Sequence, residues 1–143
     1  MECIFCRIIA GELPGSFVCR GNSVVAFMDI QPITFGHVLV VPVAHAALIG
    51  EVETEVAAEM FNVARQISVA MRSSGLRCEG VSMLLADGPP MQEVPHAHLH
   101  VFPRFKGDGF GLRFPDRYSQ KPIRDELEKH AQAIRDSLAT LRG

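Results

Sequence analysis

Hydrophobic and polar positions along the chain fall into two periods, one of two residues and one near 3.6. The two-residue period and short apolar runs predict strands. Phe17-Val18-Cys19-Arg20 and Val24-Val25-Ala26-Phe27-Met28 flank the turn signal Gly21-Asn22 and read as a hairpin. His37-Val38-Leu39-Val40-Val41 is an uncharged, β-branched run that Pro42 ends, and Val81 to Leu85 is another strand. In Pro95-His96-Ala97-His98-Leu99-His100-Val101-Phe102-Pro103, three histidines alternate with apolar residues. As a strand this segment sends Leu99 and Val101 into the core and sets His96, His98 and His100 along the opposite face, neighbouring imidazoles roughly 7 Å apart. The longer period predicts helices. Cys3 to Gly11 is a short one, with Phe5, Ile8 and Ile9 on one side and Gly11 as its stop. Thr54 to Ser74 is a long one, with Val56, Met60, Ala64, Ile67 and Met71 in its stripe, Thr54 as cap and Gly75 as terminator. A last helix runs over about 122–141 on Leu127, Ala131, Ile134, Leu138 and Leu141. The sum is an α+β fold, an antiparallel sheet of about five strands with the long helix packed on it and a C-terminal helix.

At 143 residues and 48% hydrophobic, the chain has material for one cored domain, expected to span 1–143. A net charge of −2 supplies no global basic field, so nucleic acid is not an expected partner. The apolar runs are too short for a membrane span, and Met1-Glu2-Cys3 begins neither a basic nor an apolar leader, so a cytoplasmic location is expected. In a reducing compartment the four cysteines point to metal or redox chemistry rather than to structural disulfides. Cys19 and Cys78 are isolated and read as small buried hydrophobes. Arg117, Lys121, Arg124, Lys129, Arg135 and His130 read as a solvated polar face.

Half of the six histidines share one row, and packing does not explain that concentration. Two residues between Cys3 and Cys6 put both sulfurs on one face of a turn, a spacing suited to zinc. A redox pair uses the same spacing but needs a preceding strand, for which there is no room. Cys3, Cys6, His45 and His96 together would make a closed Cys2His2 tetrahedron. His98 and His100, with His37 from the loop before its strand, are then left for chemistry. A neutral imidazole attacks phosphorus well and leaves again readily, near neutral pH and without special tuning. The competing use is two or three strand histidines on one catalytic metal, although no Glu or Asp stands beside the row to complete that set.

His96-Ala97-His98-Leu99-His100-Val101-Phe102 resembles the signature of the histidine triad (HIT) family: His, apolar, His, apolar, His and two apolar residues. The resemblance extends to Cys-Ile-Phe-Cys-Arg-Ile-Ile-Ala-Gly-Glu at 3–12 and to Asp29-Ile30-x-Pro32-x-Thr34-x-Gly36-His37-x-Leu39-x-Val41-Pro42. Gln92-Glu93-Val94-Pro95 and Pro103-Arg104 also resemble the bacterial Hint-type branch. It covers about 3–110 and leaves the C-terminal helix outside. The resemblance implies a hydrolase or transferase at the α-phosphate of nucleoside phosphoramidates or dinucleoside polyphosphates. His98 would be the nucleophile, with His100 and His37 around the phosphate and the reacting imidazole. Asp29 would accept the ribose hydroxyls, and Ile4, Phe5, Ile8, Phe27, Ile30 and Leu39 would form the slot of a purine base. Gln92 and Glu93 would stand on the phosphate side. Zinc on Cys3, Cys6, His45 and His96, a homodimer with joined sheets and no organic cofactor are also implied. One loop departs from the family pattern: Asp87 stands near an expected Asn and Met91 at an expected Gly. Asp87 should repel phosphate and Met91 should add bulk. An adaptor that binds nucleotides with little turnover is therefore the second expectation.

Overall fold

The uninterrupted apolar runs at 24–28 and 38–42 have a direct structural cause, which is that both are central strands covered on both faces. In the computed structural model, which describes residues 2–142, the order is α1 (Ile4–Ile9), β1 (Phe17–Arg20), β2 (Val24–Met28), β3 (Val38–Pro42), a single 3-10 turn (Ile49–Glu51), α2 (Thr54–Arg72), β4 (Gly80–Leu85), β5 (Leu99–Arg104) and α3 (Arg124–Arg142). The five strands make one antiparallel sheet in the order β1-β2-β3-β5-β4, an α+β architecture.

Alternate residues of β2 and β3 feed two cores. Val24, Ala26, Val38 and Val40, with Val101 of β5, pack under α2 against Met60, Val63, Ala64, Ile67 and Met71. Val25, Phe27, Leu39 and Val41 face the other way and pack with Cys3 and Phe5. The two-residue strand period thus sends one set of side chains under the long helix and the other towards α1. The stripe expected on α2 is the buried one, but Thr54 opens the helix rather than capping it. Glu53 occupies the cap position and makes no side-chain cap bond. Gly75, at φ +86, lets the chain turn away after α2.

Two expectations fail here. β5 begins at Leu99, so His96 and His98 precede the ladder. The backbone before it is taken up elsewhere, Ala97 N–H donating to Ala46 O at 2.7 Å. Cys19 is exposed, because β1 is an edge strand with its last three residues in solvent. Cys78 is half-buried, its Sγ donating to Gly80 O at 3.2 Å.

The described chain divides into two compact units, 1–110 and 111–143. The first holds the whole sheet with α1 and α2. The second holds a Phe114–Tyr118 ring stack, with centroids 4.1 Å apart, and α3. No residue of α3 is buried, so Leu127, Ile134, Leu138 and Leu141 lie exposed along one stripe, and His130 is exposed as expected. No helix among the described residues is long and apolar enough to cross a membrane.

Candidate functional site

The site is built where β5 crosses the sheet. His100 pairs with Leu39 of β3 on one side and Leu84 of β4 on the other, and Leu39 pairs with Phe27 of β2. Directly opposed residues of antiparallel strands share a face. Phe27, Leu39, His100 and Leu84 therefore form one row across the sheet, on the face opposite α2. His98, just before the strand, is buried, and its ring centroid lies 4.8 Å from that of His100. The two rings are closer than the spacing of an ideal strand because His98 lies outside the ladder.

The hydrogen bonds fix every tautomer in this group. His98 Nδ1 lies 2.7 Å from the carbonyl oxygen of His96. A carbonyl only accepts, so Nδ1 carries the proton and Nε2 keeps a free lone pair. Ile33 N–H donates to His37 Nδ1 at 3.0 Å, so His37 is protonated on Nε2, which donates to His100 Nδ1 at 2.9 Å. His100 must then carry its proton on Nε2, leaving one unspent N–H beside the unspent lone pair of His98. Asp29 Oδ2 stands 3.7 Å from His37 Nε2, while its Oδ1 accepts from Gln31 N–H at 2.8 Å. Thr34 Oγ1 donates to Pro103 O at 2.6 Å and pins the loop that carries His37. Gly36 is required in that loop. Its φ is +107, and a Cβ there would stand 2.8 Å from Leu76 Cδ1 and 3.2 Å from Pro103 Cγ.

Burial lowers the pKa of His37, against an upward pull from Asp29. Burial, then the neighbouring His98 and His37, push His100 down to about 4, Asp29 again opposing. Both rings are neutral at pH 7. An unfolded imidazole, near 6.5, takes its proton first as pH falls, so the stability contributed by neutral His100 is full above pH about 6.5 and declines towards pH about 4. Urea unfolding at pH 7 and pH 5 should therefore show a loss on acidification. In His100→Asn, whose amide oxygen can still accept from His37, that loss should shrink by on the order of 1 kcal/mol. An unchanged loss would remove His100 as its source.

A cleft of about 660 Å³ opens over the row. Of the residues assigned to nucleotide binding, Ile4, Phe5, Ile8, Phe27, Asp29, Ile30, Leu39, Glu93 and His100 line it, together with His37 and His98. Ile30 is a rim residue, 93% exposed. Gln92 does not line the cleft. Its Oε1 accepts from Gly88 N–H at 2.8 Å and its Nε2 donates to Ala47 O at 2.7 Å, so it braces two loops. Asp87 is likewise spent on a backbone group, accepting from Ile49 N–H at 2.7 Å, and is not among the lining residues. The Asp87 carboxylate is thus directed to a backbone amide rather than lining the cleft. Met91 does reach the cleft, as do Leu13, Pro14, Ile33, Leu84, Ala86 and Val94, which motif matching misses. Of these only Leu84 carried a signal, being apolar in a strand able to pair with the histidine strand.

The short helix α1 serves two places. Ile4, Phe5 and Ile8 line the cleft, and Phe5 packs edge-on against Phe27 at 5.4 Å and His98 at 5.1 Å. Cys3 and Cys6 reach back to His96 and His45. His96 Nδ1 lies 3.3 Å from Cys3 Sγ, 3.6 Å from Cys6 Sγ and 3.2 Å from His45 Nδ1, and Cys6 Sγ lies 3.5 Å from His45 Nδ1. A tetrahedral zinc, about 2.3 Å from sulfur and about 2.0 Å from nitrogen, spaces its ligands roughly 3.3–3.8 Å apart. These four separations fit that geometry, and all four donor atoms lie within 4.8 Å of one another. His96 Nε2–H donates to Pro42 O at 2.8 Å, which turns the Nδ1 lone pair towards the other three donors. Asp29, His37 and His100 also cluster. There the facing nitrogens of the two histidines are joined by a hydrogen bond, a geometry in which one proton occupies the place a metal would need.

A model of the HIT domain matches residues 10–107. The crystal structure of a HIT-family protein from Bacillus subtilis superposes with a TM-score of 0.85 at 34% identity, over 95% of this chain and 96% of that one. A Zn-bound histidine triad family protein from Mycobacterium smegmatis superposes at 0.73 and 33% identity, over 99% and 98% of the two chains. An adenosine 5'-monophosphoramidase of Schizosaccharomyces pombe is 32% identical over 80% of this chain and 84% of its own length.

Proposed function

The chain belongs to the HIT family, and on that premise we propose that it hydrolyses nucleoside phosphoramidates at the α-phosphate through a nucleotidyl intermediate on His98. The observation that carries this reading is the pair of fixed tautomers, the lone pair on His98 Nε2 beside the N–H of His100 Nε2 at the floor of an apolar cleft. Phe27, Leu39, Ile4, Phe5 and Ile8 take the base, a purine, and Asp29 accepts from the ribose hydroxyls. The Nε2 of His98 attacks phosphorus as the bond to the amine breaks, and the amine takes up a proton from water. His98 becomes an N-phosphorylated imidazolium whose Nδ1–H still points to the His96 carbonyl, so positive charge develops against a fixed acceptor. His100 Nε2–H holds a phosphoryl oxygen, and neutral His37 keeps His100 in that tautomer. Water then attacks phosphorus, the P–N bond to His98 breaks, and the nucleotide leaves with neutral imidazole restored. The phosphoramidase name of the yeast relative supports the substrate class.

Cys3, Cys6, His45 and His96 would hold a zinc ion, which would supply a structural tie rather than take part in the reaction. The test is AMP release from adenosine 5'-phosphoramidate and from diadenosine tetraphosphate. Rapid release from the first supports the reading. AMP binding without release from either compound would make the protein the adaptor instead.

We also propose a homodimer and a reducing, cytoplasmic setting. β4 is an edge strand bonded on one side only, and Val81, Met83 and Leu85 along it are not fully covered. Such an edge invites pairing with a second copy. Sedimentation should give about twice the chain mass of 15.7 kDa, and Met83→Lys should shift it towards the monomer. A wild-type monomer at micromolar concentration would end this reading.

A further inference from the structure

The row across the sheet continues past the phosphate histidine. Phe27 and Leu39 lie on the nucleoside side of His100, and Leu84 lies on the other side at the sheet edge. A substrate with its base over Phe27 and its α-phosphate at His98 and His100 that continues along the same row brings its departing group to Leu84, one strand spacing further, about 4.8 Å. There Leu84 is 44% exposed and Met91, from the loop between β4 and β5, is 75% exposed, both lining the cleft. The far end of the row thus offers two apolar side chains on the face of the sheet that carries the cleft, a face that edge-to-edge pairing of β4 leaves open. Glu93 lines the same cleft, and among the described lining residues none is Lys or Arg. A polyphosphate tail would meet apolar side chains and a carboxylate, with no cation to offset its charge.

We propose that Leu84 and Met91 form an apolar seat for the leaving group, selecting phosphoramidates of amines with a hydrocarbon substituent over unsubstituted phosphoramidate and over dinucleoside polyphosphates. This rests on the hydrolase reading and names the leaving group that it takes. Neither side chain belongs to the two buried cores, so replacing them leaves those cores untouched.

The experiment measures kcat/KM for AMP release from adenosine 5'-phosphoramidate, its N-benzyl derivative and diadenosine tetraphosphate. It compares wild type, the double variant Leu84→Ala/Met91→Ser, and Met91→Arg. Comparing enzymes on the same compounds cancels differences in amine basicity. The ratio of N-benzyl to unsubstituted substrate should fall roughly tenfold in the double variant, the range expected for loss of a few apolar groups from a pocket. Met91→Arg should raise diadenosine tetraphosphate turnover relative to N-benzyl turnover by a similar factor. An unchanged benzyl ratio in the double variant, or a wild type that prefers the tetraphosphate, overturns the seat while leaving the hydrolase reading in place. No AMP from any compound with wild type overturns the hydrolase reading, and the seat with it.

Discussion

His98→Ala is expected to lower AMP release from an adenosine phosphoramidate by about 10⁴-fold or more while AMP still binds. The alanine removes the one imidazole lone pair of the triad left for the cleft, since His100 Nδ1 accepts from His37 and the Nδ1 lone pair of His96 faces Cys3, Cys6 and His45. Losing a covalent nucleophile typically costs several orders of magnitude, because its neighbours cannot substitute for the missing atom. His100 and His37 are unsuited to replace it, their tautomers being set by a relay that starts at the Ile33 amide. The base slot is made by α1, β2 and β3, so nucleotide affinity should change little beyond the lost packing against Phe5. Rapid-quench trapping of wild type with labelled substrate should leave label on the protein, stable to base and labile to acid, and the variant should carry none. A residual rate within about tenfold of wild type would mean that water attacks phosphorus directly, with His98 reduced to a positioning group.

The chemistry of this site was more legible in the sequence than its geometry. Alternation of His96, His98 and His100 with apolar residues reports a shared face correctly only inside a ladder. The chain joins β5 at Leu99, and the Ala97 amide is held instead by Ala46. That path turns His96 away to the cysteines and brings His98 against His100. The hydrogen bonds of Gln92 and Asp87 to loop backbone are likewise illegible, since motif position does not reveal which group a side chain meets. The Ile33 amide, which fixes two tautomers, was invisible because every residue except proline has one. Leu84 needed the strand register, which no periodicity supplies. The core was readable on α2, whose stripe of Met60, Ala64, Ile67 and Met71 is buried, whereas the apolar runs of β2 and β3 carry no mark of which residues turn under the helix and which towards α1.

Removal of zinc is expected to have the largest effect on stability. A short helix of six residues, α1, has little intrinsic stability, and two of its anchors are Cys3 and Cys6. With the ion gone, two thiol protons are left to tie four donor atoms that stand 3.2–3.6 Å apart, so at least the His45–His96 contact sets two lone pairs against each other. Binding at a thousand times Kd contributes about 4 kcal/mol, so a strong chelator should lower the melting temperature by roughly 10 °C in a domain of this size. Cys6→Ser should do the same without chelator, whereas Cys78→Ser, which lies outside the donor set, should not respond differently to chelation from wild type. Purified protein should carry one zinc per chain by elemental analysis. Because the carbonyl of His96 orients His98, and Phe5 packs on both rings, loss of the ion should also loosen the nucleophile. The imidazole signals of His98 should broaden on chelation below the melting temperature, where the sheet remains folded. A metal-free preparation with an unchanged melting temperature and sharp His98 signals would show that α1 and the triad hold their places through packing alone.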